Sequence, residues 1–198
     1  MDKVEITKYS ISHVPFYFLR HGQTDWNVER RGQGQTDIPL NDTGIAQAYD
    51  AKELLKGCGI KTIVSSPLSR ASRTAEIINE AYDLPLQFVD ELQEASFGEY
   101  EGVIAGDWFS DWFDGITPKG AEPYEEFLQR GLIGLNKALE FSGPVLVVAH
   151  GGIYWSIQRF AELGEGRVIK NCDPIYHEPR LHVDKGISWH ATKLADES

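Results

Sequence analysis

This 198-residue chain is short of positive charge: 19 Lys and Arg residues stand against 30 Asp and Glu residues, a formal net charge of −11. Nucleic acids and anionic membranes bind proteins through basic faces, so the composition argues against both as partners. An anion site in such a chain must gather its few cations in one place against a negative background.

Cysteine and long apolar runs are also scarce. Cys58 and Cys172 are far apart and lack the spacing of metal ligands or of a redox pair, which predicts two reduced thiols. No segment approaches the ~18 apolar residues that a membrane span requires, and the first residues lack the apolar core of a signal peptide. We therefore expect a cytoplasmic protein, and we expect no cofactor.

The length and the ordinary hydrophobic content of 41% are typical of one globular domain with a proper core. Residues 1–14 form a polar lead-in, interpreted as an N-terminal extension that is either an added edge strand or a disordered leader. Residues 15–198 are interpreted as a single domain in which residues 103–122 form a cap-like insertion.

Apolar runs alternate with helical periodicities after residue 15, a pattern typical of a mostly parallel sheet. Strands are predicted at residues 15–20, 60–64, 86–89 and 145–149, helices are predicted to begin near Thr43, Ser66–Pro67, Pro123 and Gly151, the last of them ending near Leu163, and residues 166–195 suggest weaker strands. Asn41 or Asp42 is the expected cap of the first helix, and Ser66 that of the second. The fold class is therefore α/β, a three-layer α/β/α sandwich with a mostly parallel central sheet.

Two of these strands end in a histidine. Arg20 and His21 end the first strand, and His150 follows the strand at 145–149. The carboxyl ends of parallel strands share one sheet edge, where ligands bind in open α/β folds, and Arg70 is expected at the same edge. An imidazole with a pKa near ~6.5 can act as a nucleophile, and guanidinium groups suit phosphate oxygens. The pattern predicts a phosphate site with His21 as nucleophile.

Five ordered blocks of the sequence resemble the histidine phosphatase superfamily, also called the phosphoglycerate mutase-like family. The blocks are Leu19 to Asn27, Gln33 to Gly44, Ser65 to Ala75, Glu94 to Gly102, and Ala149 to Gly152, within a stretch of about residues 15 to 163. The resemblance implies the phosphoglycerate mutase-like fold and a phosphohistidine intermediate on His21. It also implies a phosphate pocket and a proton donor, Glu94, which by itself would look like a solvated loop carboxylate.

The predicted site residues follow from these roles. The predicted catalytic residues are His21, Glu94, Arg20, Arg70 and His150, and the predicted substrate-binding residues are Asn27, Gln33, Gly34 and Gly151. Glycines at 151 and 152 would let a bound oxyanion approach the backbone at a helix N-terminus. No metal site is predicted, since the remaining histidines, His13, His177, His182 and His190, fit the surface of strands better.

Within the family, the chain resembles the phosphatase branch. The segment after Glu94 lacks the Arg-His-Tyr-Gly stretch of the mutases, and Lys119 is the only basic residue between positions 74 and 129. A mutase must hold two phosphates and shield the phosphoenzyme from water. We therefore expect a phosphomonoesterase acting on a small phosphorylated substrate. The alternatives are a phosphoglycerate mutase-type phosphotransferase and a non-catalytic phosphate-binding module, and the oligomeric state, a homodimer included, is open.

The segment after Gly102 is rich in aromatic residues. They are Trp108, Phe109, Trp112 and Phe113, on one side of a predicted short helix. They either pack a small core of the cap, which we favour, or form a lid over the leaving group. The interspersed Asp107, Asp111 and Asp114 favour a monophosphate with an uncharged or partly apolar remainder. Glu122 is expected either to line the site or to stabilise the following helix through its positive N-terminal end. Arg30 and Arg31 either extend the positive entrance of the site or are solvated.

Overall fold

The computed structural model describes residues 10–164, 169–182, 184 and 186–196. Six strands form its sheet: β1 (Phe16–Arg20), β2 (Thr62–Ser65), β3 (Leu86–Phe88), β4 (Val145–Ala149), β5 (Ile175–His182) and β6 (Gly186–Lys193). They lie in the order β3-β2-β4-β1-β5-β6. The first four are parallel to one another, and β5 and β6 are antiparallel additions at one edge. The predicted α/β class with a mostly parallel sheet is confirmed.

Helices cover both faces of this sheet. In the described part of the chain they are α1 (Asp25–Val28), α2 (Asp42–Leu54), α3 (Ser69–Asn79), α4 (Asp107–Phe113), α5 (Tyr124–Ala138) and α6 (Gly151–Phe160). Successive residues of a strand point to opposite faces. Accordingly, Phe16 and Phe18 join the core shared with α5 and α6, while Leu19 joins the core shared with α2 and α3. Two cores on either side of one sheet make the three-layer sandwich that the sequence predicts.

Local sequence signals predicted the capping residue of one helix correctly and that of another wrongly. Asn41 caps α2 as expected, because its side-chain oxygen accepts the N–H of Gly44 at 2.9 Å. The prediction for Ser66 is wrong: α3 begins three residues later, after Leu68, without a side-chain cap. The Ser66 hydroxyl is instead hydrogen-bonded at 2.8 Å to the buried ring of His150, which lies on a different strand end. Elsewhere the predicted boundaries either coincide with those observed or differ by at most three residues.

Most of the N-terminal extension, residues 1–9, lies outside the described residues, as do residues 166–168 of the predicted weaker strands. Residues 10–14 form no strand. They lie against α5, where Ile11 is buried and Asn136 bonds the backbone of Ser10 and Ser12. None of the helices in the described part of the chain has the length and apolar character needed to cross a bilayer. The division into an extension and one domain stays a prediction.

The two tryptophans of α4 face inward. Trp112 is fully buried and Trp108 nearly so, and both rings contact Phe97 edge-on at 5.1 and 5.4 Å between centroids. Their indole N–H groups donate to the carbonyls of Glu122 and Ile104. The two tryptophans therefore pack a core beneath the cap, as the favoured interpretation has it.

Candidate active site

The pairing of β1 with β4 brings the two strand-end histidines together. Arg20 is in register with Ala149, and the N–H of His21 donates to the Ala149 carbonyl at 2.9 Å. His150 directly follows β4, and its ring centroid lies 5.2 Å from that of His21. Both rings therefore lie at the carboxyl edge of the sheet, where the sequence predicts the site.

His21 is held as a neutral imidazole. Its Nδ1 lies 2.7 Å from the carbonyl oxygen of Gly22, which can only accept, so Nδ1 carries the proton and Nε2 keeps a lone pair. Burial lowers the pKa of His21 well below 6.5, and the positive charges of Arg70 and Arg20 lower it further, whereas the bond to Gly22 opposes the shift. An imidazole in this state is available as a nucleophile.

Two arginines lie next to it, Arg70 fully buried and Arg20 half-buried. Arg70 is fully buried and donates to the carbonyls of Thr36 and Gly34 at 3.0 and 2.7 Å, and burial lowers its pKa to about 10. Arg20 donates to the carbonyl of Ile169 at 3.0 Å. The Nε atoms of both arginines are buried without a hydrogen-bond partner. Buried cations are normally paired, so two guanidinium groups held by neutral carbonyls favour an anionic ligand.

His150 lies behind His21 and outside the cavity lining. It is fully buried, and its Nε2 is bonded to the hydroxyl of Ser66, while Nδ1 has no partner. Burial lowers the pKa of His150 well below 6.5, and the charge of Arg70 adds to the effect. At neutral pH this ring is therefore uncharged, and the positive charge of the site comes from the arginines. Sequence reasoning missed Ser66 as its partner, although a serine directly after β2 is a usable signal.

The predicted binding residues are placed on the same cavity. The amide oxygen of Asn27 accepts from the Thr24 backbone at 3.1 Å, which leaves its NH₂ group as the donor to a ligand. The amide oxygen of Gln33 accepts from the Thr24 hydroxyl at 3.0 Å. Gly34 has a φ of 55°, and its carbonyl bonds Arg70. Gly151 begins α6 beside the Arg20 guanidinium. With these, eight of the nine predicted site residues line one cavity, all but His150.

Glu94 enters this cavity from a loop after β3. Its carboxylate accepts the backbone N–H groups of Ala95 at 3.0 Å and Gly152 at 3.1 Å. The second contact shows that the N–H of Gly152 serves Glu94 and is not directed to an oxyanion as expected. Glu94 is thus a carboxyl fixed at the N-terminal end of α6, and the reading of it as a solvated loop residue does not fit.

Several residues that support the site carry no signal in the sequence. The Glu101 carboxylate accepts the N–H groups of Gln35 and Thr36, both at 3.0 Å, and so fixes the loop whose carbonyls bind Arg70. The amide of Asn171 donates to the carbonyl of His21 at 2.8 Å. These partners lie 65 to 150 residues apart along the chain, so local patterns could not reveal them.

The cavity has a volume of about 280 Å³ and two chemically different parts. Around His21 its described lining holds Arg20, Arg70 and a single carboxylate, Glu94. The remaining wall is largely aromatic, formed by Trp26, Phe97, Phe109 and Trp155, and Arg30 and Arg31 complete it. Trp108 and Trp112 are not part of this lining. The arrangement suits a phosphate group attached to a partly apolar body.

Two further expectations concern residues beside the cavity. Glu122 lies outside the lining and pairs with Arg130, with two contacts of 2.7 Å. Arg31 lines the cavity but is already bonded to Glu29 and to the carbonyl of Gly102. Arg30 lines it as well and is exposed, so neither of the two interpretations of this pair is excluded.

A model of the histidine phosphatase superfamily (branch 1) matches residues 16–168, most of the chain. The chain belongs to the histidine phosphatase superfamily. The match begins with β1 and extends beyond α6, so it includes every strand end that contributes to the site. With phosphatase-named relatives on the same fold, this histidine phosphatase is an enzyme of the phosphoric monoester hydrolase type.

Relatives and solved structures agree with the family assignment. An uncharacterized phosphatase PhoE of Bacillus subtilis is 44% identical over 136 residues, 67% of this chain and 69% of the relative. A probable phosphoglycerate mutase GpmB of Salmonella arizonae is 46% identical over 174 residues, 79% of this chain and 80% of the relative. A mycobacterial glucosyl-3-phosphoglycerate phosphatase solved with VO3 has a TM-score of 0.78 at 26% identity, covering 90% of this chain and 97% of that one.

Proposed function

We propose that this histidine phosphatase is a metal-independent phosphomonoesterase that hydrolyses small phosphorylated metabolites through a phosphohistidine intermediate on His21. The observation that carries the proposal is the free Nε2 of a buried, neutral His21 in a cavity shared with Arg20, Arg70 and Glu94. A nucleophile, fixed positive charge and a carboxyl group are the parts that phosphoryl transfer to a protein side chain requires.

In the first step, Nε2 of His21 attacks phosphorus, a P–N bond forms and the P–O bond to the leaving group breaks. Glu94, in its carboxylic acid form, donates its proton to the departing oxygen. Arg20, Arg70 and the amide NH₂ of Asn27 donate to the phosphoryl oxygens, whose charge they balance throughout.

In the second step, a water molecule attacks the phosphorus of phosphohistidine while the Glu94 carboxylate accepts its proton. The P–N bond breaks, its electron pair returns to Nε2, and inorganic phosphate leaves. Glu94 ends protonated and His21 ends neutral, as both were before the first step, so the cycle closes without a metal ion or a cofactor.

The body of the substrate is proposed from the rest of the cavity. Aromatic side chains, Phe109 and Trp155 among them, offer apolar area to the leaving group. Helix α4 above them carries Asp107 and Asp111, which oppose further phosphate groups. A monophosphate with an uncharged or partly apolar remainder is the class that suits both.

A second candidate function is phosphoglycerate mutase activity, because relatives named as probable mutases match this chain at up to 46% identity. A mutase must bind a second phosphate at the leaving-group side. The acidic α4 favours hydrolysis instead, and of the two arginines on that side of the cavity, Arg31 is already paired with Glu29. Isomerisation of phosphoglycerates stimulated by a bisphosphate primer would support the mutase and contradict the hydrolase.

The proposal is tested with para-nitrophenyl phosphate. We expect turnover that is unaffected by a chelator and reduced at least about 10³-fold by His21→Ala, because the nucleophile is lost. Alkaline quenching of the wild-type enzyme during turnover should retain phosphate on histidine. Loss of activity with chelator, an active His21→Ala variant, or phosphate binding without turnover would each overturn the proposal, the last in favour of a binding module.

A further inference from the structure

Arg130 on α5 makes five hydrogen bonds, one for each of its N–H donors. Nε and Nη2 donate to the two carboxylate oxygens of Glu122, each at 2.7 Å. Nη1 donates to the carbonyls of Glu91 at 2.8 Å and Gln93 at 2.9 Å, and Nη2 donates to the carbonyl of Glu94 at 3.1 Å. The guanidinium therefore binds the loop that carries Glu94 at three backbone positions, and the Glu122 carboxylate balances its charge.

The surroundings favour a strong interaction. The Arg130 and Glu122 side chains are only 22% and 18% exposed, and a two-pronged contact between guanidinium and carboxylate is both stronger and more directional than a single bond. Helix α5 also comes close to the same loop at Gly134, where a Cβ would lie 2.8 Å from the carbonyl carbon of Glu91. The loop is seated closely on α5.

The same contacts determine where the Glu94 carboxyl lies. Its carboxylate accepts the Gly152 N–H, while its own carbonyl is held by Arg130. The Phe127 ring lies between these two anchors, 5.2 Å from the guanidinium carbon and within contact of Gly152. A shift of the loop by a fraction of an ångström would move the carboxyl relative to a leaving group bound near His21.

We propose that Arg130, balanced by Glu122, is a positioning residue that sets the Glu94 carboxyl for proton transfer to the leaving group. The inference rests on the proposed function, in which Glu94 is the proton donor. Arg130 does not line the cavity and touches no substrate, so it acts through the backbone of residues 91–94.

The pair also connects the loop to the cap. The backbone N–H of Glu122 donates to the Ser96 carbonyl at 2.9 Å, and the Glu122 carbonyl accepts from the Trp112 indole at 2.7 Å. The segment above the leaving group and the segment that carries the acid thus share one anchor. Glu122 balances the charge of Arg130 and also joins both segments.

The test uses the dependence of the rate on the leaving group. An alkyl alkoxide needs a proton as it departs and para-nitrophenolate does not, so misplacing the acid slows alkyl esters selectively. For Arg130→Lys, which keeps the charge but cannot bond three carbonyls and a carboxylate together, we expect kcat/KM for 2-phenylethyl phosphate to fall about 30-fold or more. For para-nitrophenyl phosphate we expect a change of less than about threefold.

Matched variants separate positioning from other effects. Lys137→Met removes a cation of the same helix that contacts the Glu91 side chain and no loop carbonyl, and it should change neither substrate's rate. Glu122→Gln should show a smaller selective loss than Arg130→Lys, since the amide retains one contact. Inhibition by vanadate, which probes the phosphate pocket, should be the same in all three variants as in the wild-type enzyme.

Each result decides a separate point. Equal losses on both substrates, or weakened vanadate inhibition, would show that Arg130 has a structural role only, and would overturn the inference. Unchanged rates on both substrates would overturn it as well, because the position of Glu94 would then not depend on Arg130. If Arg130→Lys does not fold, Glu122→Gln gives the same decision. Glu94→Gln is the reference: if it shows no preference for aryl esters, Glu94 is not the acid, and the proposed function fails before the inference is reached.

Discussion

At the scale of single residues, the site gathers positive charge within an acidic protein. The chain carries a net charge of −11, yet the buried Arg70 and the half-buried Arg20 lie beside His21, each bonded to neutral carbonyls. Their charges and the low polarity of the interior keep His21 and His150 unprotonated. The neighbours of His21, the proposed nucleophile, thus keep its ring neutral, and positive charge is left to groups that stay cationic at neutral pH.

The buried histidines predict a pH-dependent stability. Because folding lowers the pKa of His21 and His150 below 6.5, the unfolded chain binds more protons than the folded one once the pH falls through that value. Stability from this source is complete above about pH 6.5 and is lost as pH falls towards the folded pKa values, by up to about 1.4 kcal/mol per pH unit for each ring.

Urea unfolding at pH 7.5, 6.5 and 5.5 measures this effect. His150→Asn should lose less stability than the wild type between pH 6.5 and 5.5, whereas His13→Asn, at an exposed position, should follow the wild type. A wild-type free energy of unfolding that is constant over this range would contradict the prediction.

At the scale of secondary structure, the start of α6 matters most. Its N-terminal turn presents the Gly152 N–H to a carboxyl oxygen of Glu94, which fixes the position of this group. A side chain at position 152 would collide with Glu94 and would lie 2.8 Å from the Phe127 ring. This glycine is required by the close approach of an acid to a helix end.

Gly152→Ala should therefore displace the carboxyl. Misplacement by about 1 Å can cost up to about 10²-fold in rate, so we expect a fall in kcat/KM of at least about tenfold for alkyl phosphates. Gly106→Ala is the matched control, because a Cβ there meets nothing closer than 4.0 Å. Steady-state rates of both variants on one alkyl phosphate are the measurement, and equal rates would contradict the role given to Gly152.

At the scale of the whole molecule, the cavity lies between the edge of the sheet and the cap. The sheet supplies the cationic end through the residues at the ends of β1, β2 and β4, and α4 supplies Phe109 to the opposite wall. Trp108 and Trp112 anchor α4 in the core. A substitution at the cavity-facing Phe109 should therefore leave the position of α4 unchanged. Under the proposed function, Phe109 of α4 therefore contributes to the leaving-group preference.

Phe109→Ala tests this division of roles. Loss of one aromatic contact of about 1.4 kcal/mol corresponds to about a tenfold higher KM for 1-naphthyl phosphate. Glycerol phosphate, which has little apolar area, should be affected much less. Phe113→Ala on the same helix, outside the cavity lining, should change neither KM. A rise of equal size on both substrates would show a general disturbance of the cap instead.

The sequence could predict residues whose signal is local, and it could not predict contacts between residues distant in the chain. His21, Arg70 and His150 were predictable because each follows a strand, and parallel strands align their ends at one edge. Glu94 required the family resemblance, since an acidic loop residue carries no local signature. The erroneous cap at Ser66 arose because a local helix signal was outweighed by a buried imidazole that needs a partner.

The amino-acid sequence by itself determined the order of strands and helices, the family, and the residue types that meet at the edge of the sheet, because apolar periodicity and motif order are local properties. Only the tertiary structure decided that both histidines are neutral, that Gly152 serves Glu94, and that Arg130 holds the acid's loop. These depend on burial and on contacts between residues distant in the chain, which form when the layers of the sandwich pack together.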